Sequence, residues 1–158
     1  MLALYTARRV QRPDGGACRC SVVSRYQGVV RKVNNLMFTI GLHATSLLLW
    51  GIILHLFCDW ILQSDWQARY KSSLKHPAAY VHSGIHLLGL LLIFPGWASL
   101  AIAVVHLLID TRIPLTWWRR VYRQTREGGV ALHVALWGDQ VLHITVLALF
   151  ALVVGGLR

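Results

Sequence analysis

Ala101-Ile102-Ala103-Val104-Val105-His106-Leu107-Leu108-Ile109-Asp110 is an apolar run interrupted only by a histidine and an aspartate four positions apart. On a helix, positions i and i+4 share one face. The run therefore reads as a helix that is apolar nearly all round and carries one polar stripe, the pattern of a segment whose surroundings are lipid and other helices. The same i, i+4 spacing recurs in the other apolar segments, as His55 with Asp59, His82 with His86, and Asp139 with His143.

Outward from this run, the chain is built of similar blocks. Of its 158 residues 56% are apolar, and the mean hydropathy is +0.52, high for a soluble domain. Apolar segments span residues 37–62, 78–94, 97–115 and 130–157. At about 1.5 Å per residue each is about long enough to cross a hydrocarbon core, with 78–94 near the lower limit. Pro95-Gly96 marks a tight turn between the second and third segments. Trp60, Trp66, Trp97, Trp117 and Trp118 stand at segment ends, where indole rings favour the membrane interface. The expected fold is all-α: a four-helix transmembrane bundle with a short interfacial helix between helices 3 and 4. In that helix Trp117, Trp118, Arg119, Arg120, Arg123 and Arg126 suit an anionic membrane surface, with Trp118, Val121 and Tyr122 on one face and Arg119, Arg123 and Arg126 on the other. An ordinary solvated loop is the alternative reading.

The net charge of +10 is no argument for nucleic-acid binding. The bases form no single surface; they sit in an N-terminal segment and in two short loops, where they meet lipid headgroups. The lipid bilayer is thus the expected partner, with other membrane subunits as further candidates and no nucleic acid. Cys18 and Cys20 lack zinc-ribbon or redox spacing, and Cys58 reads as a small core residue.

Residues 1–36 form a separate region, with seven bases (Arg8, Arg9, Arg12, Arg19, Arg25, Arg31, Lys32) against one acid, Asp14. Three readings stand: an over-extended reading frame with Met37 as the start, an organelle transit peptide, or a genuine arm. Residues 37–158 form the membrane domain. The loops after the first and third segments hold eight bases (Arg69, Lys71, Lys75, Arg112, Arg119, Arg120, Arg123, Arg126); for a chain starting at Met37 the other side holds only Arg158. The positive-inside rule then places both loops in the cytoplasm, most naturally of a bacterial inner membrane. With residues 1–36 retained the count is eight against eight, and the rule decides nothing.

Of six acids, three lie inside apolar segments: Asp59, Asp110 and Asp139. Each raises the cost of insertion by about 2.5–3.5 kcal/mol at a helix centre, so such acids are usually paired, coordinated or functional. Depth supports a common site. Counted from the Pro95-Gly96 turn, His86 lies nine residues back and His106 ten residues on; His82 and Asp110 match one turn further out. The candidate ligands are therefore His55, Asp59, His82, His86, His106, Asp110, Asp139 and His143. Imidazole with carboxylate suits Zn, Fe or Mn. One or two ions, metal-free His–Asp pairs that hold helices together, and a proton or ion path are the competing readings. Gln63 and Gln140 are placed to hydrogen-bond Asp59 and Asp139 from outside the ligand set. His43, His76 and His133 fall off the stripes.

Taken together, His55-Leu-Phe-Cys-Asp59-Trp-Ile-Leu-Gln63-Ser-Asp65-Trp66 followed by Lys71, the His82/His86 helix, His106-x-x-x-Asp110 and Asp139-Gln140-x-x-His143 resemble, in order, small bacterial and phage membrane proteins of domain of unknown function 3307. The resemblance covers about residues 50–150 and departs from the family pattern at Thr111-Arg112, where an aromatic and a lysine are commoner. The family carries no settled activity; its His/Asp pattern is similar in style to integral-membrane metal-dependent hydrolases, an analogy only.

Two functions follow. In one, a metal-activated water attacks a lipid or another amphiphilic ester; no serine or cysteine sits in a nucleophile motif. In the other, the protein is a non-catalytic structural or accessory membrane subunit, or an ion or proton carrier, using the same polar cluster.

Overall fold

The computed structural model describes residues 18–124 and 128–157, with side chains from residue 24 onward. All regular structure among them is helical: α1 (Cys18–Phe57), a π-helical turn (Cys58–Leu62), α2 (Asp65–Tyr70), α3 (Pro77–Leu90), α4 (Gly96–Asp110), α5 (Ile113–Val121) and α6 (Gly128–Gly156). The chain forms two units, residues 1–37 and 38–158. The described part of the first is helical from Cys18. The first helix thus begins well before the apolar segment at residue 37, because no proline separates the polar stretch from the apolar one.

Two helices are long and apolar enough to cross a membrane, residues Ser24–Leu62 and Gly128–Gly156, and a third candidate is the pair α4–α5, bent by 59°. The two middle segments are shorter than expected. α3 has 14 residues and α4 has 15, short of the roughly 20 that span a bilayer unaided. Local chemistry explains both ends. Residues 91–94 wind into turns ahead of Pro95 (Phe94 N–H to Leu90 O, 2.8 Å), whose ring disfavours a helical residue before it. α4 stops at Asp110 because Arg112 adopts a left-handed conformation (φ 60°) and Pro114 cannot extend the hydrogen-bond ladder.

α3 packs on α4, and α4 packs on α6. The buried Ser83 Oγ donates to Ala103 O at 2.8 Å, tying α3 to α4. Leu47, Leu90, Phe94, Ala98, Ile102, Leu147, Ala151 and Val154 form the apolar core, drawn from α1, α3, the following turn, α4 and α6. Small residues bring α1 and α6 close. A Cβ added at Gly155 would lie 3.0 Å from Ala44 Cβ and 3.3 Å from its Cα, the close backbone approach that glycine permits between helices in lipid.

The polar end is shaped by α2. Ser64 and Gln67 form a capping box, with the Ser64 N–H donating to Gln67 Oε1 at 2.8 Å. His76 Nδ1 accepts from the Ala78 N–H at 3.2 Å, Pro77 opens α3, and the His76 ring stacks on Tyr70 at 4.4 Å. His76 is therefore a half-buried cap, in place of the exposed loop residue that its position before Pro77 implies. α5 starts four residues before Trp117 and buries Leu115. Trp117, Trp118, Arg120 and Arg123 are exposed. Arg119 turns inward and donates to Ala131 O at 3.4 Å, so it does not share an outward face with Arg123; Arg126 lies outside the described residues.

Gly155→Val places a branched side chain against the backbone of α1. The unfolding temperature in detergent is expected to fall, by the equivalent of about 1–3 kcal/mol. An unchanged value would show that the two helices separate freely at this point.

Candidate metal centre

Seven of the eight candidate ligands come together at the end of the bundle next to α2. His55 stands on the last full turn of α1. The π-helical turn that follows buries Cys58 and Asp59 while Trp60, Ile61 and Leu62 stay exposed. A π-turn shifts the register of a helix by one residue and is common at functional sites; here it directs a carboxylate inward at the place where the helix ends. α3 supplies His82 and His86, α4 supplies His106 and Asp110, and α6 supplies His143. All seven are at least nine-tenths buried.

The contacts centre on the two carboxylates. Asp59 Oδ1 lies 3.0 Å from His82 Nε2 and 3.2 Å from His86 Nε2. Its Oδ2 accepts from Gln140 Nε2 at 3.1 Å and lies 3.6 Å from His55 Nε2. Asp110 Oδ2 lies 3.1 Å from His106 Nε2 and 3.3 Å from His82 Nε2; its Oδ1 is 4.0 Å from His143 Nε2. The rings crowd one another, with His86–His106 centroids 3.8 Å apart and His106–His143 centroids 4.4 Å apart.

Two donor sets meet the spacing that one ion requires. Asp59, His82, His86 and His106 each offer an atom within 4.8 Å of the others, and so do His106, Asp110 and His143. His106 belongs to both. Two donors bound to one ion at about 2.0–2.2 Å in tetrahedral geometry lie roughly 3.3–3.6 Å apart; the contacts within the two sets bracket that spacing, from 3.0 Å (Asp59–His82) to 4.0 Å (Asp110–His143). The hydrogen-bond pattern fits the same reading. His55 Nε2, His106 Nε2 and His143 Nε2 are buried with no hydrogen-bond partner among the described residues. His106 Nε2 is only 3.1 Å from Asp110 Oδ2, so distance is satisfied and alignment is not. Atoms that approach without aligning are what two ligands of a common third atom look like. His143 Nδ1 lies 2.9 Å from the Asp139 carbonyl; donating there leaves Nε2 free to face the centre, the tautomer a metal-ligating histidine takes. Between the rings of His55, His86, His106 and His143 is a cavity of about 10 Å³, close to the minimum for a single water.

The expected ligand set changes at its edges. Asp139 belongs to neither donor set; its Oδ2 is 3.8 Å from His143 Nδ1 and its Oδ1 has no partner among the described residues. On α6 it is Gln140, one residue on, that faces the centre, three residues before His143. Gln140 therefore bonds Asp59, on another helix, and not its neighbour Asp139. His55 stacks on His143 at 4.8 Å and joins the cluster without entering either set. Gln63 stands where the chain has turned extended (ψ 120°), so it leaves the helical face and makes no bond to Asp59; its buried Oε1 has no partner among the described residues. His43 and His133 lie away from the centre.

Lys71 is the addition. Its Nζ lies 3.4 Å from Asp59 Oδ1, 3.2 Å from Asp110 Oδ1 and 3.1 Å from His82 Nε2, with the side chain 11% exposed. Loop position and charge alone put it with the headgroup-facing bases. The available signal was that buried carboxylates need a counter-cation, and that Lys71 closes the motif begun by His55.

These residues coincide with a family pattern. The model of the family described as protein of unknown function (DUF3307) matches residues 47–157, 111 of the 158 residues. The chain belongs to this family. The matched stretch contains every side chain of the DUF3307 centre, Lys71 and Gln140 included. No curated protein and no solved structure matches the chain.

Gln140→Leu removes the one hydrogen bond that Asp59 Oδ2 accepts among the described residues. A loss of about 1–3 kcal/mol is expected, seen as a lower unfolding temperature of the metal-free protein; Gln140→Glu, which brings a second carboxylate to the same place, should lower it further. Wild-type stability in both variants would show that the bond carries no weight.

Proposed function

We propose that this DUF3307 protein is an integral membrane protein whose buried His/Asp centre binds one or two divalent transition-metal ions. What carries the reading is the convergence of five buried imidazoles and two carboxylates in two donor sets, with His55, His106 and His143 Nε2 buried and without a hydrogen bond among the described residues. Unpartnered polar groups of this kind cost about 1–3 kcal/mol each, which argues against His–Asp pairs acting only as helix glue. Asp59, His82, His86 and His106 would hold one ion; His106, Asp110 and His143 offer the second position. The donor set suits Zn, Fe or Mn.

In the membrane, α1 and α6 would cross the bilayer, with the α3–α4 hairpin inserted between them as the remaining pair of a four-helix arrangement. α5 would lie at the surface with Trp117 and Trp118 at the headgroups and Arg120 and Arg123 on anionic lipid. The charge count for a chain read from Met37 puts α2 and α5 on the cytoplasmic face of a bacterial inner membrane.

A divalent ion held here would supply Lewis acidity and an acidified water. Two functional consequences are supported by different observations. The near-absence of space between the rings favours a structural or carrier role for the ion. A groove of about 510 Å³ lined by Ile53, Leu56, Phe57, Trp60, Trp137 and Gln140 favours hydrolysis of an amphiphilic ester, since Gln140 joins that apolar surface to Asp59. The closed centre makes the first the better-supported conclusion.

Protein purified in detergent should carry about one or two equivalents of Zn, Fe or Mn by elemental analysis, and His106→Ala with Asp110→Asn should lose it. Chelation should lower the unfolding temperature of the wild type alone. Metal-free wild-type protein that neither chelator nor added ion affects would overturn the metal reading. Metal-loaded protein that cleaves long-chain phosphoesters or acyl esters, with the double variant inactive, would replace the structural conclusion with the hydrolase.

A further inference from the structure

Lys71 is the one member of the centre that no long helix carries. It follows α2, a helix of six residues joined to the π-turn by an extended link at Gln63 and Ser64. Its ammonium contacts both carboxylates, Asp59 and Asp110, together with His82, a ring that lies against each of them. All three residues are members of the donor sets. A protonated amine at hydrogen-bond distance from a donor atom engages the lone pair that a metal would use. An ammonium and a dication a few ångströms apart also repel one another strongly in a buried site.

The geometry points to Lys71 as a built-in competitor: a displaceable cation that offsets part of the charge of Asp59 and Asp110 in the ion-free protein and leaves when a divalent ion binds. The inference rests on the metal reading above and assigns its selectivity and its entrance. Entry is from the α2 side, since the side chain that must move comes from there, while the apolar core residues Leu90, Ile102 and Leu147 line the opposite boundary of the ring cavity. A monovalent ion is a poor substitute, because it brings no more charge than the ammonium that it must displace. A divalent ion brings twice that charge, bound by the carboxylate of its own donor set and close to the other. Release of the lysine also frees α2 from its tie to the centre, so occupancy is communicated to the loop between α1 and α3. Arg69 and Lys75 do not serve this role; both are exposed, and neither has a contact to the cluster.

The test compares the Zn²⁺ affinity of the full-length wild type with Lys71→Gln and Lys71→Arg in detergent, by competition against a chromophoric chelator. Unfolding temperatures are measured with and without Zn²⁺. Lys71→Gln should bind Zn²⁺ more tightly by about tenfold or more, because the competitor is gone, while its metal-free form unfolds at a lower temperature because two carboxylates are left without a counter-charge. Lys71→Arg, which keeps the charge, should bind no more tightly than wild type. A residue that merely props the fold would lower stability and affinity together, so the opposite signs are diagnostic. The wild type alone gives a second measurement: labelling by an amine-reactive reagent, read by mass spectrometry with exposed Lys75 as internal reference, should increase at Lys71 when Zn²⁺ is added. Zn²⁺ binding to the wild type with equal or weaker affinity in Lys71→Gln, or with no gain in Lys71 labelling, overturns the competitor and leaves the metal centre standing. No Zn²⁺ binding by either protein removes both.

Discussion

Two buried carboxylates, Asp59 and Asp110, set the terms for the rest of this molecule. Both are almost fully withdrawn from solvent, and burying an ionised carboxylate costs several kcal/mol even after the surroundings relax. Nothing in an apolar helix bundle supplies that energy by itself. The neighbouring elements are arranged as a response: Lys71 bridges the two acids, Gln140 donates to one of them, and five imidazoles surround the pair. Charge is still not balanced by this set, since two carboxylates face one ammonium, and several ring nitrogens remain without hydrogen bonds. Incomplete satisfaction is costly in a fold whose remaining interior is ordinary Leu, Ile and Ala packing. It persists where a missing charge has a place to go.

The supporting geometry comes from places where regular helix stops. The π-turn at Cys58–Leu62 brings Asp59 inward at the end of α1, and the capping box at Ser64 restarts the chain in a new direction. Without both, a continuous helix would carry Lys71 away from the bundle along the α1 axis, roughly 18 Å beyond Asp59 at the usual rise. The left-handed Arg112 likewise ends α4 directly after Asp110, so the carboxylate sits on a last turn with fewer covalent neighbours to accommodate. The centre is therefore made of helix ends on the α2 side and of helix middles on α3 and α6.

The stripes at i, i+4 were legible because helical periodicity is a local property: His106 with Asp110 and His82 with His86 need only 3.6 residues per turn to share a face. Matched depth about Pro95-Gly96 was legible for the same reason, since both helices start from one turn. Helix lengths were less so. Hydropathy ran on through residues 91–94 and 111–115, but Pro95 and Pro114 stop the backbone before the apolar composition stops. Asp139 and Gln140 show the limit of the stripe argument. One residue is a rotation of about 100°, and which of two adjacent polar residues faces inward depends on how α6 packs, which its uniformly apolar flanks do not declare. Lys71 was hidden differently. Its partners lie 12 residues back at Asp59 and 11 ahead at His82, distances that only the reversal through α2 makes contacts.

The two ends of the centre are closed by different physics, and this bears on how the site can work. Leu90, Ile102 and Leu147 belong both to the apolar core and to the wall of the cavity between the histidine rings. A seal of this kind is close-packed and opens only if helices part, and Ser83 to Ala103 and Ala44 against Gly155 hold those helices together. At the other end the carboxylates are covered by the Lys71 ammonium, held by electrostatic contacts, on a short segment that packs on α3. An ion meeting the protein from the core side would have to separate α1, α4 and α6, whereas one arriving beside α2 need only exchange with a side chain. The asymmetry gives the centre a direction: its apolar floor keeps the carboxylates in low dielectric, where their demand for a cation is strongest, and its lysine cap makes that demand answerable from one side.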